Sequence, residues 1–395
     1  MLTEKLYETD SYLREFTATV LRCDPLTDEQ LLSSGAAYGV VLDRTAFFPE
    51  GGGQTADTGN LHNAVVLDVQ EIDGEIVHFT DVPLMINSVV LGTLNWTQRL
   101  RKMQNHTGEH IVSGIVNAQF GWDNVGFHLG AEEVTVDFSG PLSPEEIAMV
   151  EYLANRAVAE NVPVRAQYPA PEVLEALDYR SKLDTTENVR IVTIEGWDVC
   201  ACCAPHVSST GSVGCVKILS SENWKGGVRV RMLCGLDAID DYNKRLENTA
   251  RISALLSVPQ LDTADAVARL LAAQQTEREE IGRLKRCLVE AKAAAFTHTE
   301  GDLLLFENDL DPVGLRNLVN AGMPYADGVC AAFYGSDAEG YRYIIGSAHG
   351  NVTTWAKAFN AALGGKGGGS GEMVQGSVKA TKEQICAYFA GTQAV

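Results

Sequence analysis

The spacing of apolar and polar positions changes period along this 395-residue chain. From residue 14 to residue 94 the apolar residues come in short runs, Phe16 to Leu21, Tyr38 to Leu42, Ala64 to Ile72 and Glu75 to Phe79, separated by turn-forming clusters. Runs of that length predict strands, and Asp73-Gly74 between the last two predicts a hairpin. Several short strands in succession predict a small β-barrel over residues 1–94. From Asn95 the period lengthens: Leu100, Met103, Ile111, Ile115 and Ala118 recur at helical intervals up to Gly121, with Thr97 as the expected cap. Strands are expected at 125–129 and 133–138. Ser143-Pro144-Glu145-Glu146 then opens a helix reaching Glu160, with proline in its first turn and a capping-box glutamate. A helix near 171–177 and a strand at 189–194 lead into a cysteine-rich segment, 200–214. Residues 262–296 carry a heptad-like pattern, with Val267, Ile281 and Leu288 on one position and Leu270, Leu284 and Ala291 on another. That predicts a helical arm of roughly 50 Å. The remainder reads as α/β, with strands at 302–306, 328–334 and 341–347. The expected fold class is α+β in four parts: a glycine-motif β-barrel domain (1–94), an α/β domain (95–240), a helical linker or arm (241–297) and a C-terminal α/β domain (298–395).

Composition narrows the functional classes. With 45% hydrophobic residues the chain can bury the cores of two or three domains. Met1 to Tyr12 mix charged with single apolar residues, and no later run reaches membrane-spanning length, so a cytoplasmic protein without membrane partners is expected. Nine cysteines, with Cys200, Cys202 and Cys203 grouped, suggest metal ligation in a reducing compartment rather than a disulfide framework. A net charge of −21 excludes a generally basic surface, so contact with nucleic acid must be local. Three basic groups stand out: Arg99, Arg101 and Lys102; Lys225, Arg229 and Arg231; and Arg278, Arg283, Lys285 and Arg286.

The candidate chemistry lies in two four-residue spacings. His106 and His110 share one face of the predicted helix, and Cys202 and His206 repeat the interval about a hundred residues later. Three imidazoles and a thiolate form a full nitrogen and sulfur set for Zn²⁺. Pro205 disfavours a helix interior there, so Cys202 and His206 are expected on a turn or a helix start. Cys200 and Cys203 compete as ligands but lack the four-residue spacing to His206. Glu109 follows His106 by three residues, so the His-Glu-x-x-His protease motif is absent. A second motif, Phe47-Phe48-Pro49-Glu50-Gly51-Gly52-Gly53-Gln54, contains three glycines that permit positive φ and close backbone approach. No Gly-Lys-Ser/Thr follows it, which excludes a phosphate-binding loop, and a tight β-turn is the other reading.

Together, the Phe-Phe-Pro-Glu-Gly-Gly-Gly-Gln motif with Asp57-Thr58-Gly59, the His106-x-x-x-His110 helix, and Cys202-x-x-x-His206-Val207 with Thr210-Gly211 resemble the editing region of alanyl-tRNA synthetase and its free-standing AlaX-type relatives. The resemblance covers residues 14–240, with one departure: Cys203-Ala204-Pro205 stands where the synthetase usually has two glycines and a threonine. Gly364 to Gly376 is similar to the glycine-rich loop of the DHH-associated domain at the synthetase C-terminus, which implies a tRNA-binding or dimerising role. About fifty residues precede the glycine motif, too few for an ATP-dependent catalytic core. The resemblance therefore implies trans-editing: a zinc-dependent ester hydrolase that removes serine, with glycine a second candidate, from mischarged tRNA for alanine. A pocket built for alanine rejects an added hydroxyl or a smaller residue poorly. Gln54, Thr107, Glu109 and His128 are the polar candidates for catalysis and for sensing the serine hydroxyl. Zinc either activates water or holds the substrate. A homodimer through the arm or the C-terminal domain is the expected assembly. Two other classes remain: a zinc-stabilised tRNA-binding module without catalysis, and a metallohydrolase of small esters or amides.

Overall fold

The computed structural model describes residues 3–27, 35–130, 132–181 and 189–392, a mixed α+β architecture that divides into compact units at 1–249 and 250–395. In the first unit six strands, Glu15–Pro25 (β1), Tyr38–Leu42 (β2), Gly59–Leu61 (β3), Ala64–Ile72 (β4), Glu75–Thr80 (β5) and Val89–Leu94 (β6), close in the order β1-β2-β5-β4-β3-β6. Alternate residues point inward, so Val20, Val40, Leu42, Val66, Val69 and Ile76 fill a common core. The β4–β5 turn is made by Asp73 and Gly74, both at positive φ (51° and 82°), as a two-residue hairpin of matching twist requires.

Helix α1 (Trp96–Phe120) follows β6 directly. Its cap is Asn95 rather than Thr97: the Asn95 side chain accepts from the Gln98 N–H at 3.3 Å, one of the unpaired amides of the first turn. Packed against α1 is the sheet β12-β13-β8-β7, built from Asn124–Leu129 (β7), Val134–Phe138 (β8), Val216–Trp224 (β12) and Gly227–Cys234 (β13). Helix α2 (Pro144–Glu160) begins at Ser143 with the reciprocal capping box its sequence predicts. A three-stranded sheet in the order β9-β10-β11 comes from Val164–Gln167 (β9), Ile191–Ile194 (β10) and Asp198–Ala201 (β11). The pair β12–β13 lies where the sequence pattern gave no element, because β12 carries Ser220, Ser221 and Glu222 on an exposed stretch, and helix α3 (Gly235–Leu256) begins ahead of the expected helical segment 241–297.

The second unit contains α4 (Thr263–Ala293) and a sheet in the order β14-β15-β16-β18-β17, from Leu303–Phe306 (β14), Cys330–Ser336 (β15), Gly340–Gly346 (β16), Lys366–Ser370 (β17) and Met373–Val378 (β18). Val267, Leu270, Ile281 and Leu284 of the heptad-like pattern are solvent-exposed. The segment expected as a glycine-rich loop is instead the edge strand β17, paired antiparallel with β18. Glycine is required there by close approach: a Cβ on Gly367 or Gly376 would stand 2.5 Å from the Tyr343 hydroxyl. Among the described residues no helix is long and apolar enough to cross a membrane.

Candidate metal centre

Helix α1 presents His106 and His110 one turn apart on a buried face, as the four-residue spacing requires. Strand β11 ends at Ala201, and the irregular segment after it carries Cys202 and His206 to the same point, with Pro205 outside any helix. Potential ligand atoms of His106, His110, Cys202 and His206 lie within 4.8 Å of one another. Cys202 Sγ is 3.6 Å from His106 Nε2 and 3.4 Å from His206 Nε2. The Cys-to-His segment is held by Arg190, whose Nη1 donates to the carbonyls of Cys202 and Ala204, each at 3.0 Å.

Each imidazole is oriented by an oxygen on its other nitrogen. His106 Nδ1 lies 2.9 Å from Gln54 Oε1, His110 Nδ1 2.9 Å from Asp198 Oδ2, and His206 Nδ1 3.0 Å from Thr107 Oγ1. Donation from Nδ1–H to these oxygens leaves each Nε2 lone pair for the cluster, an arrangement typical of metal-ligating histidines. Asp198 is fixed in turn by Arg180, whose Nε and Nη2 donate at 2.8 and 2.9 Å. Burial is the largest influence on the Cys202 thiol and pushes its pKa up, but the surrounding imidazoles, His106 and His206 first, outweigh it and hold the thiol well below its usual range. Burial pulls His206 down to about 3, so this imidazole is neutral and free to ligate. For His110 burial also pulls down, yet Cys200, Asp198 and Cys202 together raise it well above an ordinary histidine. The cluster is a buried nitrogen and sulfur donor set that can hold a metal ion. A second grouping, His110, Asp198 and Cys200, shares His110 with it.

The glycine motif reaches this centre through its turn. Gly51 and Gln54 exchange backbone hydrogen bonds at 3.0 Å, and Gly52 and Gly53 between them adopt φ of 60° and 82°. A Cβ on Gly53 would fall 2.7 Å from the Phe127 carbonyl oxygen, so only glycine lets the turn lie on β7. The segment is clamped to α1 from behind. Arg99, fully buried, bonds both Asp57 and the Ala46 carbonyl, and Lys102 donates to the carbonyls of Thr55 and Ala56. Gln54 thus arrives against His106, with its own Nε2 buried and without a partner among the described residues.

A cavity of about 670 Å³ opens beside the cluster. Of the four polar residues singled out in the sequence, Glu109 lines it. Gln54 and Thr107 are buried behind the histidines they orient. His128 is not among the lining residues: strand alternation turns Phe127 toward the cluster, 4.8 Å from His106 between ring centroids, and leaves His128 exposed. Sequence reasoning missed Asn124, Arg180, Arg190 and Asp198, which join the site only through tertiary structure. The basic groups it offered for nucleic acid are largely occupied within the chain. Arg101 pairs with Asp237 and Asp240, Arg229 with Asp137, and Arg231 with Glu133 and Glu222.

The chain is similar to proteins named for tRNA synthetases and for alanyl-tRNA editing. The family described as threonyl and alanyl tRNA synthetase second additional domain matches residues 189–231, and that of the class II (A) tRNA synthetases matches residues 3–97. The alanine–tRNA ligase of Pyrococcus abyssi is 32% identical over 403 residues, covering 95% of this chain and 42% of the ligase. That of Ignicoccus hospitalis is 33% identical over 293 residues, 71% of this chain and 31% of the ligase. The chain therefore spans well under half the length of these ligases. The alanyl-tRNA editing protein Aarsd1 of Mus musculus is 30% identical over 275 residues, 67% of each chain.

Proposed function

Because the chain belongs to the family of alanyl-tRNA editing proteins, relatives of the alanine–tRNA ligases, we propose that it is a trans-editing hydrolase. It cleaves the ester joining a wrong amino acid, serine above all and glycine second, to tRNA for alanine, and its cofactor is Zn²⁺. The observation that carries this reading is the cluster of His106, His110, Cys202 and His206 beside a cavity large enough for an aminoacylated nucleoside. Tetrahedral zinc with Zn–N near 2.0 Å and Zn–S near 2.3 Å separates N from S by about 3.5 Å. The two N···S separations of 3.6 and 3.4 Å bracket that value. Zinc bound there supplies a Lewis acid that polarises an ester carbonyl or a water.

The chain's own residues do the rest. Gln54, Asp198 and Thr107 hold the three imidazoles in the ligating tautomer. The walls of the cavity exclude bulk water and orient the acyl end. Thr107 is committed to His206 and to the Val207 N–H at 3.2 Å, so its part is positioning rather than contact with the serine hydroxyl. His128, on the outer face of β7, stands away from the acyl group. The functional division follows the four parts 1–94, 95–240, 241–297 and 298–395, with the chemistry in the first two and tRNA delivery or dimerisation in the others. The work is cytoplasmic.

His110→Ala and Cys202→Ala test the reading. Each variant should lose most of its bound zinc, measured by metal analysis of the purified protein, and with it seryl-tRNA deacylation. Full zinc occupancy in both would remove the ligand set. Loss of zinc with unchanged deacylation would put the hydrolysis outside this centre, whereas unfolding on metal removal with seryl-tRNA left untouched by the intact protein would favour a zinc-stabilised tRNA-binding module without catalysis.

A further inference from the structure

We propose that Glu109 is the acceptor for the α-ammonium group of the aminoacyl ester, so that the site takes esters of amino acids with a free amine and rejects acyl groups lacking one. This rests on the editing reading and names a feature of the substrate that reading leaves open. Glu109 is 3% exposed and lines the cavity next to the ligand His110. Asn124 Nδ2 donates to its Oε1 at 2.6 Å, and Ser113 Oγ donates to the same oxygen. Asn124 Nδ2 also lies 3.2 Å from Ser113 Oγ, which closes a small network around the carboxylate. Both donors are neutral, and both engage one oxygen. Among the described residues Glu109 forms no ion pair with a lysine, arginine or histidine, and Oε2 takes part in none of these bonds.

A buried carboxylate is costly unless something cationic pairs with it. The missing cation is not Arg180, because that guanidinium is engaged by both oxygens of Asp198. Arg190, also lining the cavity, meets carbonyl oxygens instead. The cavity lining thus includes both an acid anchored on α1 and two arginines. An aminoacylated tRNA end has the matching polarity. Its ammonium is attached one carbon from the ester carbonyl, and its phosphodiester lies beyond the ribose. With the carbonyl at the metal centre, an acceptor adjacent in sequence to His110 is where the ammonium arrives.

The test uses two stable amides of 3′-amino-3′-deoxyadenosine, one acylated with serine and one with glyceric acid, whose hydroxyl replaces the ammonium at nearly equal size. Binding to zinc-loaded full-length protein is measured by calorimetry, and zinc content by metal analysis. The wild type should bind the seryl amide at least about tenfold tighter than the glyceryl amide, the scale of a charge-assisted hydrogen bond. Glu109→Gln should keep its zinc and bring the ratio to within about twofold, while Glu109→Asp, which retains the charge, should keep part of the preference. A ratio near one in the wild type, an unchanged ratio in Glu109→Gln, or equal weakening of both ligands would overturn the assignment. A protein that shows the predicted ratios yet leaves seryl-tRNA intact would support the ammonium site and defeat the deacylase reading.

Discussion

Three different side chains orient the three histidines of the centre: Gln54 and Thr107 stand out in the sequence as polar candidates, whereas Asp198 does not. The i, i+4 spacing of His106 and His110 is a property of the helix itself, so it can be read from local pattern. Asp198 and Arg180 act through β11 and the segment before β10, and their meeting with His110 is a product of the tertiary fold. His128 illustrates the parity problem of strands: in β7 a shift of one residue exchanges the inward and outward faces. Phe127 takes the inward place. A further buried imidazole, His78, sits in the barrel core between Thr45 Oγ1 at 2.7 Å and the Val40 carbonyl at 3.1 Å. Burial lowers its pKa to about 4, against 6.5 in an unfolded chain. Its folded form therefore resists protonation. Stability is unaffected by this group above pH 6.5 and is lost as the pH falls from 6.5 toward 4, where the unfolded state binds a proton that the folded state does not. The full loss is on the order of 3 kcal/mol. Urea midpoints at pH 7 and pH 4.5 should differ more for the wild type than for His78→Gln; equal differences would contradict this role.

At the scale of elements, the glycine turn and α1 act as one unit. The strands that lead to the turn follow from period-two runs, and α1 follows from its apolar spacing, so both are legible. Their attachment is not. It is made by the buried pair Arg99–Asp57, 42 residues apart, and by Lys102 on two carbonyls. Read from sequence, these cations looked available for RNA; buried in the fold, they join the barrel to the helix that carries His106 and His110. The same turn gives a sharp prediction. Gly53→Ala places a Cβ against the Phe127 carbonyl in a left-handed conformation that alone costs roughly 1–2 kcal/mol. It should lower the urea midpoint. It should also weaken zinc retention against a chelator, because Gln54 is displaced from His106 and such supporting contacts are worth about 10–100-fold in metal affinity. Wild-type zinc retention in a folded Gly53→Ala protein would show that the turn does not govern His106.

For the molecule as a whole, charge is the informative quantity. At −21 the chain repels a polyanion in general, and its prominent arginines are largely matched by its own acids. On the proposed reading, selectivity is thereby concentrated at the cavity, which Glu109, Arg180 and Arg190 all line. The mixed α+β class is legible in the alternation of strand-like and helix-like runs. The edge strand β17 is not, because glycine carries no side-chain pattern and the close approach of Gly367 and Gly376 to the Tyr343 hydroxyl is a tertiary contact. The central claim is that this cavity edits, and it predicts more than hydrolysis: a site that binds the serine hydroxyl should leave polar groups unpaired when alanine enters. The direct measurement is the initial rate of deacylation of seryl-tRNA and alanyl-tRNA for alanine, side by side, by the zinc-loaded protein. The account predicts that seryl-tRNA is cleared at least ~100-fold faster. Equal rates on the two, or no cleavage of either, would contradict it.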